Sequence, residues 1–101
     1  MDITVQELKA RMDAGEELFI IDVREPHEYA AFNIGAENIP LGTIPQRMYD
    51  FDEDKDREII VHCHAGSRSN TAKAILTQSG FTNVRNLLGG MVDWQLNFPV
   101  K

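Results

Sequence analysis

The sequence predicts a single α/β domain built on a parallel sheet. Short apolar runs rich in β-branched residues alternate with helix-like segments, and the two most apolar runs are hydrophobic throughout, as strands covered on both faces are. No internal repeat, low-complexity tract or Pro/Gly/Ser linker divides the 101 residues, a length that can bury a modest core, so one domain is expected over 1–101.

Each element has a local reason. Thr4-Val5-Gln6-Glu7 has the form of a capping box, and Val5, Leu8 and Met12 follow at helical spacing before Gly15 offers a stop. Leu18-Phe19-Ile20-Ile21-Asp22-Val23 is the first buried strand. Pro26 is placed to open a short helix, and Glu37-Asn38-Ile39 is a candidate short strand. Residues 44–51 are expected to be helical, with Pro45 tolerated in the first turn. Glu58-Ile59-Ile60-Val61-His62 is the second clear buried strand, and residues 69–79 read as a helix with Ala72, Ile75 and Leu76 on one face and Gly80 at its end. Asn83-Val84-Arg85-Asn86-Leu87 is a further strand, Gly89-Gly90 a turn, and residues 91–96 a short closing helix carrying Trp94.

Charge and composition remove several classes of function. The net charge is −6, the wrong sign for binding a phosphate backbone, so nucleic acid is not expected as a partner. Residues 52–58, DEDKDRE, supply half of that charge and read as a solvated loop. No apolar run approaches the roughly 20 residues of a membrane span, so no membrane association is expected. The first residues resemble no secretory signal, which makes the cytoplasm the expected compartment. Cys63 is the only cysteine, which excludes an internal disulfide.

Cys63 then becomes the residue of interest. At the end of an apolar strand a free cysteine is most often a small buried hydrophobe. This one is followed by His64-Ala65-Gly66-Ser67-Arg68 and then by the predicted helix, so it sits where unpaired N–H groups and the positive end of the helix dipole stabilise an anion. A thiolate is favoured there over a thiol, and Cys63 is expected to be an activated nucleophile. Gly66 allows the loop to curl so that successive N–H groups converge, and Arg68 adds a permanent cation. In parallel sheets ligands collect at the carboxyl ends of strands, the position of both Cys63 and Asp22.

Four ordered blocks carry a resemblance that covers nearly the whole chain. They are Asp22-Val23-Arg24-Glu25-Pro26-His27-Glu28-Tyr29; Gly35-Ala36 with Asn38-Ile39-Pro40; Val61-His62-Cys63 with Gly66, Arg68 and Ser69; and Leu88-Gly89-Gly90 with Trp94 and Pro99-Val100. Together they resemble a single-domain rhodanese, a thiosulfate or persulfide sulfurtransferase. The resemblance implies a rhodanese-like three-layer α/β/α fold with a central, mainly parallel sheet. It also implies a Cys63 thiolate that attacks the outer sulfur of a small anionic donor such as thiosulfate, becomes a persulfide, and passes the sulfur to a thiol or protein acceptor. No metal or organic cofactor is required for this ping-pong chemistry. The N–H groups of residues 64–68 would stabilise the anionic persulfide, and Arg68 would attract the donor. Asp22 is expected from the resemblance to support the cysteine loop by a hydrogen bond. The chain departs from the family in carrying Asn33, with no proline after Ile34, where many members read Gly-His-Ile-Pro-Gly-Ala, and in carrying Asn97-Phe98 before Pro99 where a glycine is common.

Other residues have plainer readings. Arg24 and Glu28 are spaced to pair at i to i+4 and are expected to brace the fold. His62 and His64 flank Cys63, but neighbouring side chains of an extended chain point to opposite faces, so the three do not make a zinc site. His64 is either a pH-dependent loop residue or an exposed rim residue. Trp94, Phe81 and Tyr29 read as core aromatics. Three functions compete. A phosphatase or arsenate reductase would need five residues between cysteine and arginine, and here Ser69 occupies the arginine's place. A non-catalytic binding or regulatory module on the same fold is the second rival, against which the cysteine and its glycine-containing cationic loop argue. Sulfur transfer through Cys63 is the favoured reading.

Overall fold

The computed structural model describes residues 1–99, so Val100 of the last block lies outside the described residues. Helix α1 spans Val5–Asp13, with Thr4 as its cap. The Thr4 hydroxyl accepts the Glu7 N–H at 3.1 Å and the Glu7 carboxylate accepts the Thr4 N–H at 3.3 Å, the reciprocal pairing that Thr-x-x-Glu predicts. Strand β1 is Ile20–Asp22, α2 Pro26–Ala31, β2 Glu37–Asn38 and α3 Ile44–Arg47. Two 3-10 turns, Leu41–Thr43 and Met48–Phe51, flank α3, so the helix expected over 44–51 is α-helical only in its first half. Strand β3 is Ile59–His62, α4 Ser67–Gln78, β4 Val84–Asn86 and α5 Gly90–Asn97. Helix α4 begins two residues earlier than the apolar periodicity indicated, because its first turn is the polar end of the cysteine loop.

The strands form one sheet in the order β2-β1-β3-β4, parallel throughout. Chain order reverses between β1 and β3, which are central and fully buried. Alternation along these strands divides the core in two. Ile21, Ile59, Val61 and Cys63 pack with Ile44 of α3 and with Ala72 and Leu76 of α4. Ile20 and Ile60 face Val5 and Leu8 of α1 and Met91 and Trp94 of α5. The result is three layers, helices on both faces of a parallel sheet, as the fold class requires. Each fully buried Ile or Leu contributes roughly 2–3 kcal/mol to folding, and both faces are lined with them.

Tyr29 and the acidic loop differ from their sequence reading. Phe81 and Trp94 are core residues, but Tyr29 is half-buried at the edge, where its hydroxyl donates to the Ala36 carbonyl. Loop 52–58 is not wholly solvated: Glu58 pairs with Arg11 at 2.7 Å and with Arg85 at 2.9 Å, and the Lys55 carbonyl accepts the Thr82 N–H at 2.8 Å. The altered segment after α2 is held by the Asn33 side chain, whose Oδ1 accepts the Gly35 N–H while its Nδ2 donates to the Tyr29 backbone carbonyl. Asn33 thereby fixes the turn without a proline.

Candidate active site

Cys63 follows β3 at the point where strand order reverses, and its side chain faces α4 with 1% exposure. Gly66 closes the loop as the N-terminal cap of α4 at φ +116°, a left-handed conformation that a side chain would strain. Its N–H donates to Cys63 Sγ at 3.1 Å. Ser69, buried in the first turn of α4, places its hydroxyl 3.3 Å from the same sulfur. That hydroxyl carries one proton and has two further acceptors, Asn86 Oδ1 at 2.6 Å and the Gly66 carbonyl at 3.2 Å. Asn86 ends β4 and donates its own amide to the Gly66 carbonyl at 3.3 Å. Its backbone N–H is taken by Asp2, which also holds Lys73.

These contacts set the acidity of the thiol. Burial works to raise its pKa, but the Ser69 hydroxyl and the N–H groups of Ser69, Gly66 and Ala65 outweigh burial, so the thiol lies below its ordinary value. The loop is also held from behind. The first N–H groups of α5 donate to it, Met91 to the Cys63 carbonyl at 3.0 Å and Val92 to the His64 carbonyl at 2.9 Å. This approach needs Gly90, where a Cβ would lie 2.6 Å from the His64 carbonyl oxygen and 2.7 Å from that of Cys63.

The fold and this cradle match known proteins. A family model described as a rhodanese-like domain covers residues 4–97. The chain belongs to the rhodanese-like family. A protein named sulfurtransferase from Allochromatium vinosum is 36% identical over 92% of this rhodanese-like chain and 86% of its own length. The thiosulfate sulfurtransferase PspE of Escherichia coli is 42% identical over 72% of this chain and 70% of its own. Bacillus subtilis YrkF is 38% identical over 92% of this chain, which spans only 50% of that longer protein. Among solved structures, a rhodanese-like domain protein from Staphylococcus aureus superimposes with a TM-score of 0.83 at 33% identity, covering 93% of this chain and 91% of that one. Relatives named as sulfurtransferases support a sulfur-transfer role for the chain.

The charged residues of this rhodanese-like site pair differently from the sequence expectation. Arg24 does not meet Glu28. Its side chain closes on Asp22, with Nη2 at 2.7 Å from Oδ2 and Nε at 3.0 Å from Oδ1, and the pair is almost completely buried. Asp22 therefore does not reach the cysteine loop, because every hydrogen bond to its carboxylate among the described residues comes from Arg24. A buried carboxylate two residues away offers Arg24 a desolvated partner that Glu28, at the surface, does not. Glu28 instead holds Arg68 by two bonds of 2.7 and 2.9 Å. His64, Ala65 and Ser67 are exposed, and His64 occupies the rim position.

Of residues 64–68, Gly66 donates its N–H to the sulfur, while Ala65 and Arg68 bear on its acidity from close by. Ser69 and Asn86 complete the cradle and were not predicted as site residues. Asn86 lies near the carboxyl end of the strand expected over residues 83–87, the position that drew notice to Asp22 and Cys63. His62, opposite Asp22 in the register, points to the other face of the sheet from Cys63. Its ring is fully buried, and among the described residues neither nitrogen has a hydrogen-bond partner of ordinary geometry.

Proposed function

We propose that this chain moves a sulfane sulfur from thiosulfate or another persulfide donor to a thiol or protein acceptor through a persulfide on Cys63. The observation that carries the reading is the cradle: a buried sulfur that accepts the Gly66 N–H at 3.1 Å and lies 3.3 Å from the Ser69 hydroxyl at the start of α4, where the neighbouring N–H groups also lower its pKa. The Cys63 thiolate attacks the outer sulfur of the donor, a sulfur–sulfur bond forms, and the old one breaks with its electron pair leaving on sulfite from thiosulfate or on a thiolate from a persulfide. The charge arriving on the new terminal sulfur meets the same preorganised donors, which supply the stabilisation a neutral pocket would lack. Arg68 lies within the field of Cys63, with its charge shared with Glu28 through two hydrogen bonds. Asp22 and Arg24 support the site by fixing the end of β1 beside β3 rather than by touching the loop. The Escherichia coli relative's name supports thiosulfate as a donor.

The test is intact-protein mass after exposure to excess thiosulfate and removal of small molecules, beside Cys63→Ser. The expected result is a gain of one sulfur atom in the native protein only, reversed by cyanide with release of thiocyanate. No gain from thiosulfate or from a reactive persulfide would overturn the reading and favour a non-catalytic binding module.

A further inference from the structure

The cation of the cysteine loop is already spoken for. Arg68 gives both terminal nitrogens to the two oxygens of Glu28, in a bidentate pair that fixes the guanidinium plane. Glu28 comes from α2, 40 residues away in sequence, so the pair is built by the fold. The Glu28 carboxylate also accepts the Glu25 N–H at 3.0 Å, which locks it to the start of α2. Arg68 also lies within the field of Glu25. The second guanidinium near β1, that of Arg24, is matched by Asp22. An approaching anion therefore meets an Arg68 guanidinium already paired with one carboxylate and within the field of a second.

We propose that Glu28 is a specificity-determining residue that selects sulfur donors by charge, favouring those with a single negative charge at the reacting end, such as thiol persulfides, over the thiosulfate dianion. The inference rests on the sulfur-transfer reading and narrows its substrate class. Neutralising Arg68 removes the attraction that would distinguish two charges from one, and Glu28 stays ionised throughout the working range because Arg68 holds its pKa down at about 2. The selection is thus built in and independent of pH.

Two donors that undergo the same substitution separate charge from chemistry. Thiosulfate is a dianion that loses sulfite, and benzenethiosulfonate is a monoanion that loses benzenesulfinate; in each case the Cys63 thiolate gains one sulfur and no oxidant is consumed. Glu28→Gln keeps an oxygen for the Glu25 N–H and removes the charge. Because Coulomb energy is linear in donor charge, a gain of roughly tenfold in kcat/KM for thiosulfate should accompany only about threefold for benzenethiosulfonate. Both gains are expected in KM and should shrink as salt is added. Glu28→Asp, which retains the charge, should keep the native ratio between donors. Equal effects of Glu28→Gln on the two donors, or a Glu28→Asp ratio that moves with it, would overturn the inference while leaving sulfur transfer intact. A native protein that accepts sulfur from neither donor would overturn both.

Discussion

Acidification should weaken this fold through His62 before it touches the carboxylates. The ring is fully buried beside the Asp22–Arg24 pair, with Nε2 3.8 Å from Asp22 Oδ2. Burial lowers its pKa to about 4, with Asp22 opposing and Arg24 adding to the effect, against an ordinary value near 6.5. The native state thus refuses a proton that the unfolded chain accepts. Between those two values the unfolded state binds more protons, so stability is fully present above pH 6.5 and is lost as pH falls towards 4. The whole difference corresponds to about 3 kcal/mol, of which about 2 kcal/mol falls between pH 7 and pH 5. Over that interval carboxylates such as Glu28, whose native pKa is about 2, contribute little. Urea unfolding at pH 7 and pH 5, for the native protein and for His62→Leu, isolates the effect. The native protein should lose about 2 kcal/mol more than the variant. Equal losses in the two proteins would refute the argument.

Three further outcomes are expected. Ser69→Ala removes the largest of the contacts that lower the Cys63 pKa, so the pH profile of thiol alkylation by iodoacetamide should shift upward; an unmoved profile would mean the backbone N–H groups suffice. Gly90→Ala should destabilise far more than Gly15→Ala in thermal unfolding. Both glycines have positive φ, each worth roughly 1–2 kcal/mol of strain to alanine, but only at Gly90 would the new Cβ strike backbone carbonyls; equal losses would contradict the close approach of α5. Arg24→Met leaves the Asp22 carboxylate buried and unpaired and should cost about 3–5 kcal/mol at neutral pH, with part of the loss recovered in the double variant Asp22→Asn, Arg24→Met, as measured by chemical denaturation.

The elements that local sequence determines were legible without coordinates. The α1 capping box needs only Thr4 and Glu7, three residues apart, and β1 and β3 show their double burial as unbroken apolar runs. Cys63 was legible for the same reason, because strand, loop and helix are consecutive. What sequence did not show are pairings made by packing. Arg68 and Glu28 are 40 residues apart and Ser69 and Asn86 17, and each pair meets only when α2 and β4 take their places around the sheet. Arg24 failed differently. Its helical spacing to Glu28 was correct, but Arg24 precedes α2 and folds back on Asp22, where burial makes an opposite charge far more valuable. The extent of loop 52–58 was visible and its anchoring was not, since Arg11 and Arg85 reach Glu58 from α1 and β4.

The hydrogen bonds from Met91 and Val92 decide where the cysteine loop is able to vary in length. They fasten the carbonyls of residues 63 and 64 to α5, and Gly66 is held by Cys63 Sγ, Asn70 and Asn86, so among the described residues the unfastened backbone of the loop is confined to Ala65. A residue inserted there would widen the ring of N–H groups around the sulfur while leaving both anchors in place. One inserted before His64 would pull the chain off α5 and dislodge the nucleophile. The fold therefore offers a one-sided adjustment of ring size: the anion a descendant of this loop encloses can grow on the α4 side alone.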